Sequence, residues 1–155
     1  MMQKIVIVST LFLLIVFPFT HQKVYAEPCR TVVHAVNAQL LSKIDERELT
    51  ETLQSLNSTN NKKLPPRYVT KREALSQGWK PGKDLWSVGT LRGSSIGGDK
   101  FNNREERLPR KKWREADLDY KGSHRGGKRL IFSSDGDRFV TVDHYKTFVE
   151  VPSCR

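Results

Sequence analysis

The sequence predicts an α+β domain, with short N-terminal helices packed on one face of a C-terminal antiparallel β-sheet. Three observations lead there. Up to about residue 78 the apolar residues recur at three- and four-residue spacings, the period of an amphipathic helix. From about residue 95 the apolar runs become short, β-branched or aromatic, and broken by Gly, Asn and Asp. Between two of these runs stands Ser134-Asp135-Gly136-Asp137, where Asp-Gly is a strong hairpin signal.

The chain has 155 residues, enough for one domain plus a processed leader. Residues 1–26 read as a cleaved signal peptide. Lys4 supplies the positive start, Ile5 to Phe19 is nearly all apolar, and Val24-Tyr25-Ala26 ends on the small residue that a signal peptidase needs. An uncleaved anchor is the other reading, but the apolar run falls short of the roughly 20 residues that span a bilayer. The expected product is therefore secreted or periplasmic according to the cell envelope, free of the membrane, and made of residues 27–155 as a single domain. It divides into a helical N-terminal extension with a first helix, residues 27–62, and a second region, residues 63–155, which carries the candidate site residues. Cys29 and Cys154 stand at opposite ends of it, and an oxidising compartment favours a disulfide between them. Two free thiols, or an intermolecular bridge, are the alternatives.

The elements follow in order. Val32, Val33, Val36, Leu40, Leu41 and Ile44 predict a helix. Asp45 or Thr50 would cap a second through Leu53 and Leu56. His34, within the first apolar pattern, reads as a packing residue. Leu64-Pro65-Pro66 is extended and ends the helical run. Thr70 caps a short helix, with Glu73 completing a capping box and Gly78 stopping it. Lys80 to Gly93 reads as a loop with one helical turn. Strands are predicted at Ser95–Asp99, Trp113–Leu118, Arg129–Ser133, Phe139–Asp143 and Phe148–Val151.

Charge narrows the function. There are 27 Lys plus Arg against 17 Asp plus Glu, net +10, and without the leader the excess is still +8. A basic domain favours polyanion partners, nucleic acid among them. Glu115 shares a predicted strand face with Trp113 and Asp117. Arg114, Arg125, Arg129 and Lys71 are candidate neighbours, and such a carboxylate can serve as a general base. His144 ends a predicted strand beside an aromatic and can serve as the acid. A base and an acid facing each other across a phosphate suffice to cleave RNA, where the 2′-OH is the nucleophile. Arg125 and Arg129 would hold the non-bridging oxygens. Lys71 has two readings, an anion contact beside a helix end or a solvated lysine. Outside the leader only His34, His124 and His144 are present, with no metal-ligand spacing, so no metal site and no cofactor is expected. A salt-bridge network around Glu115 and a structural His144 are the plain alternatives. They correspond to a catalytically inactive secreted polyanion- or RNA-binding protein. A membrane-active cationic peptide would need a basic amphipathic helix, whereas the basic residues here fall mostly in loops and strands.

An ordered set of motifs adds to this. It comprises Lys63-Leu64-Pro65, Tyr68-Val69-Thr70-Lys71 with Glu73-Ala74, Gly78-Trp79, Ser95-Ile96-Gly97-Gly98-Asp99 and Phe101. Asn103-Arg104-Glu105, Leu108-Pro109, Trp113-Arg114-Glu115-Ala116-Asp117, Tyr120, Arg125 and Arg129 follow, then Ser133-Ser134-Asp135, Asp143-His144-Tyr145 and Thr147-Phe148. Over Lys63 to Val149 the chain resembles the barnase and binase family of secreted guanyl-preferring ribonucleases. The resemblance implies Glu115 as general base, His144 as general acid, and Lys71, Arg125 and Arg129 as cations around the scissile phosphate. It implies a guanine-reading loop of Asn103, Arg104 and Glu105, with Phe101 and Tyr145 packing near the base and Asp117 anchoring the two arginines. It also implies RNA as substrate, a 2′,3′-cyclic phosphate intermediate, a monomer, and an acidic inhibitor protein similar to barstar. Four features depart from the family: residues 27–63 align poorly, the two cysteines are additional, His124 replaces an aromatic beside Arg125, and the loop from Glu106 to Lys112 is more basic. His124 is either a further phosphate contact or an exposed loop residue.

Overall fold

The computed structural model describes residues 26–155; the predicted leader, except for Ala26, lies outside the described residues. The elements run α1 Cys29–Gln39, α2 Glu46–Ser58, β1 Tyr68–Val69, α3 Lys71–Ser76, two 3-10 turns at Leu85–Ser87 and Gly89–Leu91, β2 Ser95–Phe101, β3 Trp113–Asp117, β4 Arg129–Ser133, β5 Arg138–Thr141 and β6 Val149–Glu150. The strands form one six-stranded sheet in sequence order. Every pairing is antiparallel except β1 with β2, which is parallel. The predicted α+β architecture is the observed one. Among the described residues no helix is long and apolar enough to cross a membrane.

The first helix ends earlier than its apolar pattern predicts. Lys43 folds back and its ammonium donates to the carbonyls of Asn37, Ala38 and Leu40 at 2.9–3.1 Å. This satisfies the last orphan acceptors and places a cation at the negative end of the helix. Asn37 closes the turn by accepting from Ile44 N–H. Leu40 and Ile44 stay buried, but as loop anchors. Asp45, the first of the two predicted caps, accepts from Glu48 N–H at the start of α2. The Thr70–Glu73 capping box forms in full at α3.

Strand alternation divides the core. On one face of the sheet Ala116, Leu130, Phe132 and Val140 pack against Val33 and Val36 of α1 and Leu49, Leu53 and Leu56 of α2. On the other, Trp113 and Ile131 form a smaller cluster with Leu108, Phe101, Phe139, Tyr145 and Phe148. A third cluster under α3 gathers Ala74, Trp79, Leu85, Leu91, Ile96 and Tyr120. Cys29 and Cys154 are bonded and close a separation of 125 residues on the helical side. Asn57 donates to the Cys154 carbonyl, tying the end of α2 to that staple.

Two glycines shape β2. A Cβ on Gly97 would stand 2.6 Å from the Tyr68 ring, so its absence lets β1 approach. Gly98, at φ +93°, carries the register shift between β2 and β3. After the shift Asp99 lies opposite Glu115.

Candidate active site

Glu115 sits on β3 facing away from the helices, and it is only 6 % exposed. Its neighbours across the sheet are Asp99 on β2 and Ile131 on β4. Two carboxylates directly opposite each other repel. Lys71 relieves this from the first turn of α3: its N–H donates to Asp99 at 2.9 Å and its ammonium to Glu115 Oε1 at 3.0 Å. The other Glu115 oxygen accepts from the Tyr145 hydroxyl at 2.6 Å. Burial, and then this bond to Glu115, push the Tyr145 phenol up to about 12, so it stays a protonated donor at neutral pH.

Asp117, two residues along the same face, is 2 % exposed and holds both arginines. Arg125 binds it with two bonds, Nε to Oδ2 at 2.5 Å and Nη2 to Oδ1 at 2.7 Å. Burial alone would lower the Arg125 pKa; the bonds and charge of Asp117 outweigh it and raise it above the usual value. Arg129 Nε stands 2.9 Å from Asp117 Oδ1, a charge contact too oblique for a hydrogen bond. Its Nη1 donates to the Gly126 and Lys128 carbonyls. The Arg125 guanidinium feels the charge of Glu115, and Arg129 contacts the Tyr145 hydroxyl. Arg114 belongs elsewhere. It points to the helical face, lies over the Phe132 ring and donates to the carbonyls of Asn61 and Lys62, so it is not one of the cations around Glu115.

His144 does not end a strand, since β5 stops at Thr141. It is exposed, in a tight loop where both His144 and Tyr145 have positive φ, +57° and +68°. Such residues cost about 1–3 kcal/mol each unless their surroundings hold them. Here Asp143 holds them, accepting from Lys146 N–H, Thr147 N–H and the hydroxyls of Thr147 and Thr141. Burial pulls the Asp143 pKa upward, but these four donors overcome it and set it at about 2. Gly127 supplies the remaining support. Its carbonyl accepts from His144 N–H at 3.2 Å, and a Cβ there would come within 2.6 Å of His144 Nδ1. The imidazole rests on bare backbone.

The loop after β2 forms the opposite wall. Lys71, Phe101, Asn103, Arg104, Glu105, Arg107, Glu115 and Tyr145 are among the residues lining a single cleft of about 320 Å³. Phe101 and Tyr145 stack on each other with centroids 5.1 Å apart. The Asn103 side chain shapes the loop, donating to the Leu108 carbonyl and accepting from Leu108 N–H. Glu105 is largely exposed and paired with Arg107, and Arg104 is exposed. His124 is exposed and lines a separate hollow with Lys121 and Lys128.

The structure thus brings Lys71, Phe101, Asn103, Arg104, Glu105, Glu115 and Tyr145 to one cleft; Arg125 and Arg129, held by Asp117, and His144, on the loop that carries Tyr145, are not among its lining residues. The sequence motifs contain Asp99, Gly127 and Asp143 or lie beside them, yet give them no role. Alternation along β2 and β3 could have paired Asp99 with Glu115; nothing local signals the place of Gly127 under His144.

Chemically the cleft offers a buried carboxylate with the Lys71 ammonium and the Tyr145 hydroxyl on its oxygens, while Arg129 contacts that hydroxyl and His144 lies on the loop that carries Tyr145. Among the described residues no group of three or more His, Cys, Asp or Glu side chains is placed to hold a metal ion. Comparison with known proteins gives a consistent picture. A family model described as ribonuclease matches residues 52–152. The ribonuclease of Bacillus pumilus is 37% identical over 163 residues, covering 97% of this chain and 99% of its own. That of Bacillus intermedius matches to the same extent. The ribonuclease of Heyndrickxia coagulans is 46% identical over 94 residues, which is 58% of this chain and 84% of that protein. The chain belongs to the barnase and binase family of microbial ribonucleases and is an RNA-cleaving enzyme.

Proposed function

We propose that this ribonuclease cleaves RNA on the 3′ side of guanine by transesterification, without a metal. The observation that carries the reading is the position of Glu115. It lies at the floor of a cleft shared with the Asn103–Glu105 loop, with Lys71 and Tyr145 on its two oxygens. Each carboxylate oxygen keeps a second lone pair, so Glu115 can take the 2′-OH proton with both donors in place. The 2′ oxygen then attacks phosphorus. Charge growing on the non-bridging oxygens is held by Lys71, Arg125 and Arg129. His144, as imidazolium, gives its proton to the leaving 5′ oxygen. The product is a 2′,3′-cyclic phosphate. In the slower second step water replaces the 5′ oxygen, the two residues exchange roles, and a 3′-phosphate results.

Guanine is the base that offers two adjacent donors, N1–H and the exocyclic amine, to one carboxylate, and Glu105 is the carboxylate of the recognition loop. Phe101 and Tyr145 provide aromatic surface beside the base. On the same reading the mature protein is secreted, works as a monomer, and its cationic cleft suits an acidic inhibitor similar to barstar.

The test is an oligonucleotide with a single guanosine, and its counterpart with 2′-deoxyguanosine at that position. Cleavage 3′ to the guanosine, passing through a cyclic phosphate, with the deoxy version left intact, is the expected result. Cleavage of the deoxy version would rule out attack by the 2′-OH.

A further inference from the structure

Arg107 lines the cleft, and the mechanism above gives it no role. Its Nε donates to Glu105 Oε2 at 2.6 Å, and its Nη1 donates to the Lys146 carbonyl at 2.6 Å. The first bond lies within the recognition loop. The second crosses to the loop that carries His144 and Tyr145, over a separation of 39 residues. Below this strap the two walls meet through Phe101, which stacks on Tyr145 and lies 6.3 Å from Phe148.

We propose that Arg107 is a specificity-determining positioning residue that sets the Glu105 carboxylate in register with the loop of the general acid. The proposal rests on the guanine reading of Glu105. Glu105 is 71% exposed and at the tip of a loop, so without a partner it would sample many rotamers. The guanidinium removes that freedom and fixes the carboxylate to backbone that also fixes His144. It does so without filling the carboxylate. Nε takes one lone pair of Oε2, leaving Oε1 and the second lone pair of Oε2 for the two donors of guanine. Base recognition and proton delivery are thereby held at one spacing, which matters because misplacement by about 1 Å can cost a hundredfold in rate. The planar fork fits this role because one side chain presents two fixed N–H directions to two acceptors on different loops, which a lysine ammonium does not.

The experiment compares kcat/KM on GpN and ApN dinucleotides for the wild type, Arg107→Ala and Arg107→Lys. The ratio of the two substrates is the readout, because both carry the same phosphate and a general loss of charge cancels. Arg107 is half exposed, and circular dichroism checks that the variants fold. The expected result is that Arg107→Ala lowers kcat/KM on GpN about tenfold more than on ApN, the scale of losing charge-assisted hydrogen bonds. Arg107→Lys should lie closer to the alanine variant than to the wild type. A wild type that prefers GpN with an unchanged ratio in Arg107→Ala overturns the role of Arg107 and leaves the guanine reading standing. So does a ratio that rises in Arg107→Ala, which would make the arginine a competitor of the base. A lysine variant with the wild-type ratio would show that charge suffices and overturn the two-ended strap. A wild type that does not discriminate GpN from ApN overturns the guanine reading and this inference together.

Discussion

Glu115 reaches the cleft because every second side chain of β3 faces away from the helices, and its buried position makes Lys71 and Tyr145 necessary partners. Asp99 is part of the same arrangement, since its bond to Lys71 N–H fixes where the ammonium points. Gly127 is the residue whose replacement should separate positioning from folding. A methyl group at 2.6 Å from His144 Nδ1 has to displace the imidazole, and that ring lies on an exposed loop rather than in the core. Gly127→Ala should therefore lower kcat on a guanosine-containing substrate by about a hundredfold while thermal unfolding stays close to the wild type. A variant with full activity would mean that the support under His144 is not needed. That Lys71 neighbours Glu115 and that Asp117 holds the two arginines was legible in an ordered set of motifs. The contact of Gly127 with His144 was not, because it exists only where residues 127 and 144 meet. Arg114 was counted among the neighbours of Glu115 although alternation along β3 carries its side chain to the opposite face.

At the scale of elements, the loop after β5 is held by a single side chain, Asp143. Asp143 accepts four bonds there, and its pKa falls from the ordinary 3.8 to about 2. A carboxylate whose folded-state pKa is depressed stabilises the fold above its unfolded value, and that contribution is lost as pH falls through the folded value. The stability gap between wild type and Asp143→Ala should therefore be full above about pH 4 and narrow as pH drops toward about 2. Urea unfolding at a series of pH values measures it, and a gap independent of pH would contradict the assignment. The same variant should lose most of its activity at neutral pH, because His144 and Tyr145 would no longer be held at positive φ. Helix and strand order were readable from periodicity, and the capping box at Thr70 from spacing alone. The end of α1 was not, because the apolar pattern runs on to Ile44 while Lys43 closes the helix from outside it. The parallel pairing of β1 with β2 was also hidden, since a strand of two residues carries no period.

For the whole molecule, the sheet separates stability from chemistry. The main core and the Cys29–Cys154 bond lie on its helical side, and the cleft opens on the other. The bond closes a separation of 125 residues, for which the chain-entropy model gives about 4–5 kcal/mol. The double variant Cys29→Ser with Cys154→Ser should lose stability on that order and yet, while folded at low temperature, cleave RNA at close to the wild-type rate. Loss of activity in a variant shown to be folded would mean that the staple reaches the cleft. Glu27 and Cys154 form a bridge that joins the two ends of the domain directly, and the cysteine count pointed to that closure through the expected disulfide. Net charge belongs to this scale too. An excess of +8 without residues 1–26 favours polyanions in general, and a choice among them has to come from the site rather than from the charge.

The most direct test of the central claim is cleavage of a short RNA containing one guanosine, in EDTA, by the protein without residues 1–26 and by its His144→Ala variant. The account predicts cutting 3′ to the guanosine that resists EDTA in the wild type and collapses in the variant. Cutting that EDTA abolishes, or that survives the loss of His144, would contradict acid–base transesterification by Glu115 and His144.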